Sequence, residues 1–276
     1  MKKRGVESVT INFVNDKEII GYIWSCKFNF FETITLQYIL QNVKNFTETF
    51  DWLADDFSKK SMLAYLKHNV NGETSASQEI FCRDQYFNDL TKFALNDNCV
   101  FFDCGAYDGD TIRNFLEFSG GKYKKIFGVE ADTANFGKLK NFATQNNCRD
   151  LEIFNCGVWN EKGVLSFDGG KGTSSSISDS SSENSIAVDT IDNLLNSAPV
   201  TFIKMDIEGS EFNALKGAQE SIKKFKPVLA ICVYHKAEDL ITIPQFIKSL
   251  NADYKFYLRK HTFILPTELV LYALPR

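Results

Sequence analysis

The chain has 276 residues, of which 44% are hydrophobic, 14% aromatic and 24% charged, and a formal net charge of −4. A chain of this size buries about 75% of its unfolded surface, enough for one α/β domain plus an appendage without disulfides or metals, and its mild acidity excludes the basic face that a nucleic-acid partner needs. Seven cysteines, an odd number spread singly with no Cys-x-x-Cys pair, make no disulfide framework and imply a reduced, cytoplasmic setting.

From the start of the chain, Met1 to Arg4 is basic but no continuous apolar core follows, so no secretory leader is expected. No run approaches the ~18 apolar residues of a membrane span. Val9 to Val14 alternates like a strand, and Ile19 to Trp24 reads as its hairpin partner across Asn15-Asp16. Leu36, Ile39, Leu40, Val43, Phe46, Phe50 and Leu53 keep helical spacing. Ser58 is expected to cap a further helix through Leu66, Asn71 to Ser75 breaks the pattern, and residues 78–95 resume it. Residues 1–98 thus read as a mainly helical region serving as a lid, an acceptor-side wall or a surface for a homodimer. The 25 phenylalanines read as core filling.

From Asn98 onward strands and helices alternate, which predicts an α/β fold with a doubly wound, mostly parallel sheet over 99–276. A first apolar strand ends at Asp103, and a helix starts near Asp110. A second strand ends at Glu130, a helix spans Thr133 to Gln145, and a third strand runs from Leu151 to Cys156. A Ser/Gly-rich stretch, 169–185, reads as a surface loop or a cover. A helix over 190–195, a strand to Asp206, a helix from Glu211 to Lys224, a strand over 228–233 and a helix over 237–250 follow. The last two strands, 254–258 and 269–273, have no helix between them and predict a C-terminal antiparallel hairpin.

Two acids at strand ends bracket a nucleoside-sized gap. Gly105 and Gly109 let the backbone approach a ligand, the helix start at Thr111 can face an anion, and Glu130 can accept from both hydroxyls of a ribose. The dinucleotide fingerprint Gly-x-Gly-x-x-Gly is not matched, because Tyr107 stands between the two glycines. Downstream, Lys204, Asp206, Glu208 and Glu211 gather a basic residue and three acids at the end of another apolar run.

The order Asp103-x-Gly105-Ala106-x-x-Gly109 resembles motif I of class I S-adenosylmethionine (SAM) methyltransferases, more narrowly of the FkbM family. The pattern Lys204-x-Asp206-x-Glu208-Gly209-x-Glu211 is similar to that family's second signature. Gln85-Tyr86-Phe87, Tyr234-His235-Lys236, Leu258-Arg259 and Glu268 to Ala273 extend the resemblance, whereas Arg259-Lys260-His261 departs from the family's Arg-His-Tyr and displaces His261 to the other strand face.

The resemblance implies a Rossmann-like class I methyltransferase fold, SAM as cofactor, and methyl transfer to a hydroxyl of a saccharide or secondary metabolite, including precursors of bacterial cell-surface glycans. It places Asp103, Gly105, Ala106, Tyr107, Gly109, Thr111, Glu130, Ala131, Cys156, Gly157, Val158, Asp206 and Glu208 around SAM. His235, Asp206 and Lys204 are the expected catalytic group. His235 follows the strand over 228–233 at the ligand-binding edge and is the expected proton acceptor. Asp206, Glu208 and Glu211 can supply oxygen ligands to a divalent metal, but Lys204 and helix-start amides can neutralise them instead, so a metal is not favoured. Two alternatives remain open: an NAD-linked oxidoreductase on the same sheet, and a non-catalytic binding protein that keeps the fold.

Overall fold

A computed structural model describes residues 34–146, 148–168, 176–178, 185–262 and 265–276. The hairpin expected over 9–24 and most of the Ser/Gly-rich stretch lie outside them. Seven strands form the central sheet in the order β10-β11-β9-β8-β1-β2-β3: β1 is Val100–Cys104, β2 Lys125–Val129, β3 Leu151–Phe154, β8 Phe202–Met205, β9 Val228–Cys232, β10 Lys255–Lys260 and β11 Leu269–Leu274. Strands β3, β2, β1, β8 and β9 run parallel, and β11 pairs antiparallel with both β9 and β10, as the closing hairpin predicts. Order reverses between β1 and β8, where an open α/β sheet leaves its crevice.

Helices cover both faces because the central strands are mostly apolar: β1 and β9 are buried along their whole length, with Asp103 on β1 paired to Lys204 on β8. They are α4 (Asp110–Ser119), α5 (Thr133–Gln145), α6 (Ile191–Leu195), α7 (Glu211–Lys216), α8 (Gln219–Phe225) and α9 (Asp239–Leu250). The single helix expected over 211–224 is two. A Cβ on Gly217 would lie 2.0 Å from the Trp159 carbonyl oxygen, so the chain passes against that backbone only as glycine and breaks there. A second sheet, which the sequence reading missed, has the order β4-β7-β5-β6: β4 is Gly157–Val158, β5 Gly163–Asp168, β6 Ser176–Ser178 and β7 Ser185–Asp189.

Ahead of β1 the helical spacing over 36–53 divides into α1 (Leu36–Gln41) and α2 (Val43–Trp52). The next helix, α3 (Asp56–Asn71), is capped by Asp55, whose carboxylate accepts from the Ser58 N–H at 2.7 Å, and ends at left-handed Gly72. Ser58 is therefore inside the helix, not its cap. Arg259 on β10 locks this start with a 2.7 Å contact to the other Asp55 oxygen. The helix expected over 78–95 does not form. Tyr86 takes φ of 63°, and only a 3₁₀ turn at Lys92–Ala94 is helical. Tertiary packing overrides the pattern, because Phe87 is wholly buried with its ring 5.5–5.6 Å from those of Phe101, Phe115 and Phe202. No helix among the described residues is long and apolar enough to cross a membrane.

Candidate active site

The turn after β1 is built by contacts that only small residues permit. Gly105 has φ of +80°, and a Cβ there would lie 2.0 Å from the carbonyl oxygen of Asp206. Gly109, at φ +91°, has the Phe142 ring 2.4 Å from the same virtual atom. The N–H groups of Gly105 and Ala106 both donate to the Val129 carbonyl, at 2.9 and 3.0 Å, which fastens the turn to the end of β2. Tyr107 adopts φ of 47° and donates its N–H to Glu130 Oε2 at 2.9 Å, while the Asp132 N–H donates to Oε1 at 2.9 Å. Glu130 is thus a buried acceptor aimed along the carboxyl edge. Burial raises its pKa, against the pull of those two amides.

Ala131 follows Glu130 at this edge, and Asn155, just past β3, donates to the Glu130 carbonyl at 3.0 Å and to that of Ala131 at 3.3 Å. Cys156, half-buried, follows Asn155. Gly157 and Val158 are buried in β4, paired with Val188 and Asp189 of β7. Thr111, buried in the first turn of α4, points its N–H at Asp110 Oδ1 at 2.7 Å.

Beneath the turn lies a buried ion pair. Lys204 Nζ is 3.0 Å from Asp103 Oδ1 and donates to the carbonyls of Gly105, at 2.8 Å, and Cys104, at 3.3 Å. Burial disfavours the ammonium, but Asp103 and Asp206 outweigh it and raise the Lys204 pKa; burial pushes Asp103 up to about 6 despite Lys204. Both are charged at neutral pH. Lys204, expected in the catalytic group, has its head directed at Asp103 and the carbonyls of the turn, which it anchors.

The second cluster lies past the ends of β8 and β9. His235 Nδ1 is 2.9 Å from Glu211 Oε1, an oxygen that also accepts the Ile207 N–H at 2.9 Å. His235 Nε2 faces Asp206 Oδ1 at 3.5 Å and Glu208 Oε2 at 3.7 Å. Burial works against a charged ring, but Glu211, then Asp206 and Glu208, outweigh it and raise the His235 pKa to about 10. His235, placed where the sequence expects a proton acceptor, thus faces three carboxylates from the segment 206–211.

Asp206 has two tyrosine partners the sequence reading missed. Tyr86 donates to Oδ2 at 2.9 Å and Tyr234 to Oδ1 at 3.4 Å. Gln85 links Tyr86, at 3.0 Å, to Glu268 Oε2, at 2.8 Å, and Tyr234 reaches Glu268 Oε1 at 3.3 Å. Burial raises the Asp206 pKa, yet Lys204, His235 and Tyr86 more than offset it and hold the carboxyl below its usual value. The available signal was the Gln85-Tyr86-Phe87 triplet, which aromatic packing alone accounts for until the Tyr86 hydroxyl is located. The other two histidines stand apart: His261 meets the Cys82 carbonyl at 2.7 Å and the Tyr272 hydroxyl at 3.0 Å, and burial lowers both its pKa and that of His68 to about 4.

Asp206, Glu211 and His235 each put one possible ligand atom within 4.8 Å of the others, a spacing a divalent cation can use. A nucleoside sulfonium fits the other half of the edge: Glu130 offers a carboxylate for a diol, and the Gly105 turn, open of Cβ, lies between it and the acids that would face a cation.

A parallel sheet reversing between β1 and β8, a glycine turn fastened to β2 and acids at the ends of β2 and β8 define a class I methyltransferase fold. The sequence profile of the methyltransferase FkbM domain matches residues 103–265. The chain belongs to the FkbM methyltransferase family. The crystal structure of methyltransferase FkbM from Methylobacillus flagellatus KT is similar at a TM-score of 0.74 and 32% identity, over 85% of this chain and 59% of that one. This chain therefore spans less than two-thirds of that protein. An rRNA methylase from Streptococcus thermophilus (14% identity, TM-score 0.45, 71% of this chain and 100% of that one) and fibrillarin from Aeropyrum pernix with SAM bound (10%, 0.42, 66% and 68%) are too distant to carry functional argument. No curated protein matches the chain.

Proposed function

We propose that this chain transfers the methyl group of SAM to a hydroxyl of a saccharide or related polyol. The observation that carries the reading is the convergence of the Glu130 carboxylate, the Gly105 turn and Asp206 on one carboxyl edge of the sheet, where Gly105 leaves no more than a backbone's width between strand ends. SAM supplies an electrophilic methyl on a sulfonium that leaves as a neutral thioether. The protein's part is to hold and align, which accounts for most of the acceleration in such a displacement.

In this reading Glu130 accepts from the ribose hydroxyls, the Gly105–Gly109 turn carries the methionine portion, and Asn155 to Val158 border the base. The turn acts by shape and not through its first two amides, which are spent on Val129. Asp206, ionised and oriented by Tyr86 and Tyr234, faces the reacting centre. Gln85 and Tyr86 come from ahead of β1 and Glu268 from the turn into β11, so the N-terminal region contributes an acceptor-side wall. The acidic, hydroxyl-rich lining suits a polyol, whose hydroxyls donate to carboxylates and accept from tyrosines.

The test is incubation with methyl-labelled SAM and a panel of saccharides, followed by mass spectrometry. A labelled methyl ether on a sugar is the expected product. Label on nitrogen or carbon, or no S-adenosylhomocysteine with any member of the panel, would contradict the oxygen-acceptor reading.

A further inference from the structure

A metal is disfavoured only while Lys204 and helix-start amides neutralise the acids after β8. Lys204 turns instead to Asp103 and the Gly105 carbonyl, and of the amides that of Ile207 reaches Glu211, at 2.9 Å. Among the described residues, the one basic side chain within ion-pair distance of Asp206, Glu208 or Glu211 is the His235 ring. Glu268 adds a fourth carboxylate, tied to Asp206 through Tyr234. Buried carboxylates in such excess call for a cation.

We propose that His235 Nε2, Asp206 and Glu208 bind a divalent metal ion. Nε2 lies 3.5 Å from Asp206 Oδ1 and 3.7 Å from Glu208 Oε2. An ion bonded at about 2.0–2.2 Å to nitrogen and oxygen spans donors about 3–4 Å apart. On the far side of the ring, Nδ1 is 2.9 Å from Glu211 Oε1, and a buried carboxylate at the second nitrogen is what orients a metal-binding imidazole. Tyr86 takes Asp206 Oδ2 at 2.9 Å, leaving Oδ1, with its longer 3.4 Å contact to Tyr234, toward the ring. Glu208, at φ +54°, and Gly209, at φ +90°, form a left-handed turn whose backbone cost is of the kind that collects at working sites. A Cβ on Gly209 would lie 3.1 Å from the Lys236 side chain, so the loop after β9 holds that turn against the ring. The ring is 2% exposed but the Asp206 and Glu208 side chains are 25% and 20% exposed, which gives an ion its way in.

A second observation comes from Glu211, which is wholly buried. Its Oε2 has no hydrogen-bond partner among the described residues, and one of its oxygens lies within 4.8 Å of possible ligand atoms on both Asp206 and His235. A buried carboxylate oxygen left unmet beside such a cluster marks the place of an ion and its water. One imidazole nitrogen with two carboxylate oxygens suits a first-row ion such as Mn²⁺ or Zn²⁺ better than Ca²⁺, which takes oxygen alone. A proton competes with the ion for Nε2 and is released when the metal binds. Binding here does not depend on methyl transfer; use of the ion to hold an acceptor oxygen rests on the reading above.

Two measurements on the whole chain, stripped with EDTA, test this. In the first, Mn²⁺ is titrated and the free ion read by electron paramagnetic resonance. One Mn²⁺ per chain is expected, bound at least about tenfold more weakly in D206N, E208Q and H235N; no saturable binding, or binding unchanged by all three substitutions, would overturn the proposal. The second needs no change to the site. Zn²⁺ is added to wild type labelled with ¹⁵N at its three histidines, with the His68 and His261 signals identified from H68N and H261N. The His235 Nε2 resonance alone is expected to shift, reaching its limit at one equivalent. No shift, or a shift confined to His68 or His261, would overturn the site. Neither measurement uses SAM or an acceptor, so failure of either leaves the methyl-transfer reading to its own test.

Discussion

Glu130 and Lys204 are two buried ionisable groups with different surroundings. Glu130 ties down Tyr107 and Asp132 through single amides to each oxygen, leaving lone pairs along the edge. Glu130→Ala is expected to weaken SAM binding by at least tenfold, since hydrogen bonds to a charged group contribute about 1.5–3 kcal/mol, and calorimetric titration reads this directly. Lys204 points its ammonium into the protein. Lys204→Met leaves Asp103 buried and unpaired, and breaking such a pair costs about 3–5 kcal/mol, measurable by chemical denaturation. His235 provides a pH signature. Its folded pKa is raised from 6.5 to about 10, so its contribution to stability is complete below about 6.5 and is lost as pH rises through 10. Thermal melts of wild type should fall across that window more steeply than those of H235Q; parallel curves would contradict a folded-state imidazolium.

At the scale of elements, alternation of apolar runs with amphipathic stretches made the parallel strands and their helices legible. The central strands are mostly apolar on both faces, with Asp103 and Lys204 the buried ion pair among them, a pattern that survives without tertiary context. The missed elements have the opposite character. The small sheet β4-β7-β5-β6 uses short strands, and the apolar run in Ser185 to Asp189 is only three residues long beside a serine-rich stretch. Residues 78–95 carry a helical spacing that the wholly buried Phe87 and left-handed Tyr86 override. Within the site, strand-end acids were legible because strands end at charged residues. The surroundings of His235 were not, since they depend on how the segment 206–211 packs against the loop after β9. Turn geometry gives a further prediction: Gly105→Ala is expected to lower stability by at least about 1–3 kcal/mol through overpacking, whereas Gly120→Ala, with nothing within 4 Å of the added Cβ, should cost no more than the left-handed backbone, about 1–2 kcal/mol. Equal losses at the two positions would contradict the close approach of Asp206.

Over the whole molecule, segments distant in sequence meet at one end of the sheet. Asp206 follows β8, His235 follows β9, Glu268 precedes β11, and Gln85-Tyr86 come from ahead of β1; Asp55 and Arg259 clamp α3 onto β10. Segments ahead of β1 therefore meet the sheet at two places, Tyr86 at Asp206 and Asp55 at Arg259, and the family match, which starts at residue 103, leaves both Tyr86 and Asp55 outside it. The carboxyl edge is expected to bind one molecule of SAM. The decisive measurement is calorimetric titration of the whole chain with SAM and, separately, with NAD. A single SAM site, weakened at least tenfold by Glu130→Ala, and no NAD binding are expected; NAD binding, or SAM binding indifferent to that substitution, would overturn this reading of the edge.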